Sequence, residues 1–202
     1  MEYIQLSLLW VAFCALHSAL ISLTVTGFMK KRLKARYRWY RLFYNFFSAL
    51  TLAPVLLYTW GLKGEYFFTW GGYLEVIRYA MIICAALLII LSLGEYDWLQ
   101  FIGIRQIVSE NQQSGIGIGG TVKDSGILGV MRHPIYTSVF LLLWSGDLNI
   151  TMLIVNLILS VYLVIGTILE ERKLAVEFGR AYLEYKKKVP MFIGMRWIKR
   201  RG

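Results

Sequence analysis

The stretch Tyr3-Ile-Gln-Leu-Ser-Leu-Leu-Trp-Val-Ala-Phe-Cys-Ala-Leu-His-Ser-Ala-Leu-Ile-Ser-Leu-Thr-Val-Thr-Gly-Phe28 holds 26 residues without one Asp, Glu, Lys or Arg. A helix needs about 20 apolar residues to cross roughly 30 Å of hydrocarbon, so this segment alone can span a bilayer. Further charge-free windows follow at Leu42–Leu62, Tyr79–Gly94, His133–Gly146 and Leu148–Leu169, of 21, 16, 14 and 22 residues. Snorkelling end residues extend the two shorter ones. The pattern predicts an all-α, polytopic integral membrane protein with about five transmembrane helices. Across all 202 residues, 57% hydrophobic content and 17% charge argue against a soluble domain.

The formal charge of +10 is concentrated beside the spans. Seven basic and no acidic residues fall in Lys30–Arg41, and ten more basic residues lie between Arg172 and Arg201. With Arg105, Lys123 and Arg132 these make 20 of the 22 Lys and Arg, leaving Lys63 and Arg78 for the remaining loop. Five spans place those 20 on one side, which the positive-inside rule makes cytoplasmic, with the N-terminus outside and the C-terminus inside. Such residues attract anionic headgroups, so the expected partner is the lipid bilayer rather than nucleic acid. No basic n-region precedes the first span, which speaks against a cleaved signal peptide. Cys14 and Cys84 lie inside apolar spans, form no CxxC pair, and His17 and His133 are far apart. No metal site is expected; the thiols read as small packing groups.

One membrane domain over 1–202 is expected, with three spans in 1–94, a cytoplasmic connector in 95–131, and a hairpin plus C-terminal helix in 132–202. The basic run reads as a tight loop joining two antiparallel helices. Pro54 should kink the second span. The loop Gly61–Gly72 carries Trp70, Tyr66, Phe67 and Phe68, the composition of an interfacial aromatic belt. Ser114–Gly120 is too Gly-rich for a stable helix, lacks a GxxxxGK[ST] pattern, and reads as a flexible loop. Pro134 suits the first turn of a short helix ending near Ser145, and Asn149 or Thr151 can cap the next. Beyond Leu169 the pattern turns amphipathic through Leu174, Phe178, Tyr182 and Tyr185, with Gly179 a possible interruption and Val189-Pro190 a stop.

Polar residues gather where helices meet the expected cytoplasmic side: Asp97, Arg105 and Gln106; Arg132, His133 and Tyr136; Glu170 and Glu171. A transporter would place them near the midplane instead. The two glutamates end an apolar window, where a helix C-terminus disfavours carboxylates unless the helix continues. They read either as a solvated helix end, or as one carboxylate binding a ligand's hydroxyls or amine or pairing with Arg132.

Gly126-Ile-Leu-Gly-Val-Met-Arg-His-Pro-Ile-Tyr136, Trp144, Glu170-Glu-Arg-Lys-Leu174 and Phe178-Gly-Arg-Ala-Tyr-Leu-Glu-Tyr185 with Val189-Pro190 resemble the isoprenylcysteine carboxyl methyltransferase-like superfamily. His17-Ser18, Tyr40–Asn45 and Phe101–Gln106 resemble its NnrU-like branch, which includes methanethiol S-methyltransferases. Thr137-Ser138 stands where many relatives have a glycine, and Phe192-Ile-Gly194 replaces a closing proline. The resemblance implies an S-adenosyl-L-methionine-dependent methyltransferase acting on a lipophilic or small thiol or carboxylate acceptor. It implies that Arg132, His133 and Tyr136 form the catalytic and cofactor site, joined by Glu170, Glu171, Tyr182, Tyr185 and Gln106. Arg132 would clamp a carboxylate or stabilise a thiolate. His17, Asn45 and Trp144 are the expected acceptor pocket, reached by a tunnel from the inner leaflet. The alternatives are an NAD(P)H-dependent membrane reductase of related architecture and a non-enzymatic NnrU-like accessory protein.

Overall fold

Apolar windows of spanning length become helices here because lipid cannot satisfy a bare backbone N–H or C=O. The computed structural model describes residues 1–62, 64–108 and 122–192, with Gln100 and Phe101 described in backbone only. Ser114–Gly120 and the Ile193-Gly194 pair therefore lie outside the described residues. Four helical runs are long and apolar enough to cross a membrane: Glu2–Ile21, Leu23–Gly61, Leu74–Leu93 and Ile150–Phe178. A shorter apolar helix, Pro134–Trp144, accompanies them. The chain is an all-helical integral membrane protein; among the described residues extended pairing is limited to one isolated bridge, Phe68 with Leu148. Residues group into two compact units, each assembled from separate stretches of chain.

The first unit takes Met1–Thr69, Leu99–Gln112 and Asp147–Tyr162. Helix α1 (Glu2–Ile21) stops short of the charge-free window's end. Ser22 is extended (φ −61°, ψ 153°), and its Oγ accepts from Val25 N at 3.3 Å, capping α2 (Leu23–Leu33). The basic run is accordingly helical, not a tight loop: it continues α2 and forms a 3-10 turn, Lys34–Trp39. Lys and Arg are good helix formers, and the segment keeps its charges in water. Helix α3 (Tyr40–Gly61) passes through Pro54 without interruption. It runs antiparallel to α1: Tyr40 OH donates to Leu20 O at 2.6 Å, Trp10 Nε1 to Thr59 Oγ1 at 3.1 Å, and Tyr58 OH to Gln5 Oε1 at 2.9 Å. Leu6, Trp10, Val55 and Val155 form the unit's buried apolar cluster. Val155 belongs to α9 (Ile150–Phe178), which Asn149 caps by accepting Met152 N at 2.8 Å.

The second unit takes Trp70–Trp98, Gln113–Gly146 and Leu163–Gly202. Its frame is α4 (Leu74–Leu93) packed along α8 (Pro134–Trp144). Pro134 sits in the first turn of α8, where no intrahelical N–H bond is lost. At about 1.5 Å per residue this 11-residue helix is roughly 17 Å long. Between the two lie three short helices, α5 (Trp98–Ile102), α6 (Arg105–Val108) and α7 (Ile127–Val130); the first unit takes α6 and all of α5 but Trp98. Trp70 Nε1 donates to Gly146 O at 3.1 Å, so one aromatic of the Gly61–Gly72 loop is hydrogen-bonded at the turn after α8. Glu170 and Glu171 do not end a helix: α9 carries on to Phe178. Gly179, at φ +55°, then breaks the line into α10 (Arg180–Lys188).

Candidate functional site

Leu174, Tyr182, Tyr185 and Val189 bury themselves together, folding α10 back against the end of α9. The bend at Gly179 makes that possible, because a straight helix would carry Tyr182 away from Leu174. Past α10, the chain joins the segment before α8 through its backbone. Arg132 N donates to Pro190 O at 3.0 Å and His133 N to Met191 O at 3.2 Å. Val189-Pro190 thus ends α10, and the Pro190 and Met191 carbonyls position Arg132 and His133.

These contacts gather polar side chains around one carboxylate. Glu171 is only 3% exposed. Its Oε1 receives Arg132 Nε and Nη2, each at 2.6 Å, and His133 Nε2 at 3.2 Å. Its Oε2 receives Lys186 Nζ at 2.7 Å. An ionised carboxylate only accepts, so the imidazole hydrogen lies on Nε2. Arg132 spends its remaining reach on α10, whose last carbonyls lack helical partners: Nη1 donates to Val189 O, and to Lys186 O at 3.2 Å. A buried charge pair of this kind is tolerated because both carboxylate oxygens have a cationic donor.

The neighbouring carboxylate is differently placed. Glu170 is half-buried, and its Oε2 accepts from Tyr136 OH at 2.6 Å. The Tyr136 ring meets His133 edge-on at 5.5 Å between centroids. Gly166, one turn before Glu170, leaves ordinary contact room for that ring. Two adjacent glutamates therefore have separate surroundings, one sealed by cations and one paired to a phenol. Tyr185 OH donates to Leu128 O at 2.7 Å, while the Tyr182 hydroxyl is buried without a hydrogen-bond partner among the described residues. Burial pushes both phenols above their ordinary pKa. Thr137 and Ser138 return their hydroxyls to the carbonyls of His133 and Ile135, at 3.0 and 2.7 Å.

Arg132, His133, Tyr136, Glu170, Glu171, Tyr182 and Tyr185 all fall in the second unit, as does Trp144, which packs near Phe140. Gln106, His17 and Asn45 belong to the first. There His17 Nε2 lies 2.6 Å from Tyr44 OH and its Nδ1 lies 3.1 Å from Ser48 Oγ, while Asn45 Nδ2 donates to Ile102 O at 2.7 Å. Sequence reasoning missed Lys186, read only as one of several headgroup-facing cations, and the carbonyls of Val189, Pro190 and Met191. Among the described residues no group of three or more His, Cys, Asp or Glu is placed to hold a metal ion.

Comparisons with known proteins give one consistent signal. The chain is 30% identical over 77 residues to a methanethiol S-methyltransferase of Pseudomonas deceptionensis, covering 38% of this chain and 29% of that protein. It is 23% identical over 123 residues to one from Crocosphaera subtropica, covering 59% and 47%. It is 26% identical over 106 residues to methanethiol S-methyltransferase 2 of Bradyrhizobium diazoefficiens, covering 52% and 40%. The matched region spans less than half the length of each relative. No family model and no solved structure matches the chain.

Proposed function

We propose that this chain is a membrane methyltransferase that takes its methyl group from S-adenosyl-L-methionine and passes it to a lipophilic or small thiol or carboxylate acceptor. The observation that carries the reading is the convergence of Arg132, His133 and Lys186 on Glu171 beside the Tyr136–Glu170 pair. The similarity to methanethiol S-methyltransferases supports it.

The residues present suit a ligand that offers a hydroxyl pair and an ammonium. Glu170 keeps acceptor capacity beyond its bond from Tyr136, and the buried Tyr182 hydroxyl has no hydrogen-bond partner among the described residues. When bound, S-adenosylmethionine would supply an electrophilic methyl on a sulfonium: the acceptor's nucleophile bonds to that carbon in line as the C–S bond breaks and the neutral thioether leaves, with no metal required. Glu170 accepts from the ligand's hydroxyls or amine, with Tyr136 fixing its orientation. Glu171 holds Arg132 and His133 in place, so Arg132 acts as a fixed positive charge beside the reacting groups. Tyr182 and Tyr185 line the site, and Gln106 joins it on the strength of the resemblance. His17, Asn45 and Trp144 are assigned to the acceptor. Catalysis then rests on alignment and exclusion of water.

Calorimetry on detergent-purified protein tests this. Saturable binding of S-adenosylmethionine or its demethylated product is expected, weakened at least tenfold by Glu170→Gln. Folded protein that binds neither molecule, and is indistinguishable from its Glu170→Gln and Arg132→Ala variants, overturns the reading.

A further inference from the structure

The basic segment of the first unit is not used by the proposed chemistry, and its structure gives it a separate role. The run Leu23–Gly61 is 39 residues long but not one straight helix: α2 ends at Lys34 (φ 49°, ψ −120°), and the 3-10 turn leads from there into α3. Its α3 portion, 22 residues, is already sufficient to cross. The preceding α2 and 3-10 turn therefore lie outside the hydrocarbon, next to the ends of α1 and α3. Neither contains a buried residue. Val25, Thr26, Met29 and Leu33 of α2 and Tyr37 of the 3-10 turn are partly buried, so these side chains face the protein. Away from them, Lys30, Lys31, Arg32, Lys34, Arg36 and Arg38 are all exposed. Among the described residues no carboxylate pairs with any of these six. Two large rings are exposed with them: Phe28 at 62% and Trp39 at 48%, the latter with the Arg38 guanidinium 6.0 Å from its centroid.

We propose that α2 and its 3-10 turn form a binding site for anionic phospholipid headgroups, independent of the site on α8–α10. Six unpaired cations over nine residues complement the phosphates, while Phe28 and Trp39 suit the boundary between headgroup and acyl chain. The cations and rings sit beside the ends of the membrane-crossing helices α1 and α3, where headgroups are, so lipid is the occupant.

The test measures lipid carried by the full chain in a neutral detergent, by native mass spectrometry after equilibration with phosphatidylglycerol or phosphatidylcholine. Phosphatidylglycerol should be retained in preference to phosphatidylcholine, and less so as salt rises. Replacing all six cations by Gln should abolish that preference. Lys30→Gln with Lys31→Gln, and separately Arg36→Gln with Arg38→Gln, should each weaken it about tenfold; these pairs report even if the sixfold variant does not fold. Replacing Lys187, Lys188, Arg196, Lys199, Arg200 and Arg201 by Gln should leave the preference intact. Equal retention of both lipids, an unchanged preference in the two double variants, or its loss only in the C-terminal variant overturns the proposal. So does competition by a short RNA for these cations with no lipid preference.

Discussion

Arg132 and Glu171 are bound by two N–H···O contacts of 2.6 Å that land on the same carboxylate oxygen, with both residues buried. Taking away one partner strands the other's charge. Glu171→Gln is therefore expected to destabilise the protein by about 3–5 kcal/mol, lowering its thermal midpoint by on the order of 10 °C. Replacing both residues by Met should recover part of that loss, because the one charge then left without its carboxylate, Lys186, is partly exposed to water. Thermal unfolding in detergent checks both variants. An unchanged midpoint in Glu171→Gln would show that the pair contributes nothing to stability.

Glu170 should behave in the opposite way. It is half-buried, with Tyr136 OH its hydrogen-bond donor in the structure. Glu170→Gln should cost about 1 kcal/mol or less of stability yet weaken binding of S-adenosylmethionine's demethylated product. Tyr136→Phe should weaken it less, since the carboxylate survives. Measuring midpoint and affinity on the same preparations separates the roles of two adjacent glutamates. Equal effects of both on stability would contradict the division.

The Tyr182 hydroxyl gives a cleaner discrimination. A buried polar atom without a partner costs about 1–3 kcal/mol, so Tyr182→Phe should leave the unliganded protein equally stable or more so. If that hydroxyl meets the proposed ligand, the same change lowers affinity by roughly fivefold to tenfold, the worth of one hydrogen bond. A variant that is both less stable and normal in affinity would place the hydroxyl's partner within the protein.

Much of the fold is visible in the sequence because bilayer thickness fixes helix length. The windows at Leu42–Leu62 and Tyr79–Gly94 map onto α3 and α4 within a few residues. Local chemistry also predicted the first-turn Pro134 and the Val189-Pro190 stop, offered Gly179 as a possible break, and left the cap between Asn149 and Thr151, of which Asn149 takes it. Ser22 was hidden, since a serine in an apolar run reads equally well as a helix interior or a cap. The helical state of Lys30–Arg41 was hidden because dense charge resembles a loop, whereas Lys and Arg individually favour helix. Lys186 could not be told from Lys187 and Lys188: only the fold-back of α10 onto α9 selects which lysine meets Glu171. The carbonyls that hold Arg132 and His133 are backbone groups, which no side-chain pattern encodes.

Three glycines separate backbone strain from crowding. Gly179→Ala meets nothing within 4 Å, so its φ of +55° alone should cost about 1 kcal/mol. Gly103→Ala, at φ +102°, also places a Cβ 2.9 Å from Leu42 N, and should cost more. Gly126→Ala, at φ +59°, drives a Cβ to 2.2 Å from Glu95 Oε1, on a side chain already tied to Lys123 at 2.6 Å. Midpoints should fall least for Gly179→Ala. A larger fall there than at Gly103 would show that the bend, and not the contact, is the costly element.

The sidedness of the termini turns on α8, which is too short to cross on its own. Its start is fixed at the level of Glu171 by the Arg132–Glu171 contact, while its end leads through Ser145–Asn149 into the first turn of α9. About 21 residues of α9, some 32 Å, separate those two levels. On the sequence, α8 with its turn counts as a fifth crossing beside the four long runs. Five crossings would put the termini on opposite faces, and four would put them on the same face. With Cys14 and Cys84 replaced by Ala, a cysteine introduced by Glu2→Cys should react with a membrane-impermeant maleimide from outside the cell. One introduced by Gly202→Cys should react only in inverted vesicles, as the basic residues beside the spans require. Labelling of both from the same side would mean that the α8–α9 hairpin does not cross, and that the four long runs alone span the membrane.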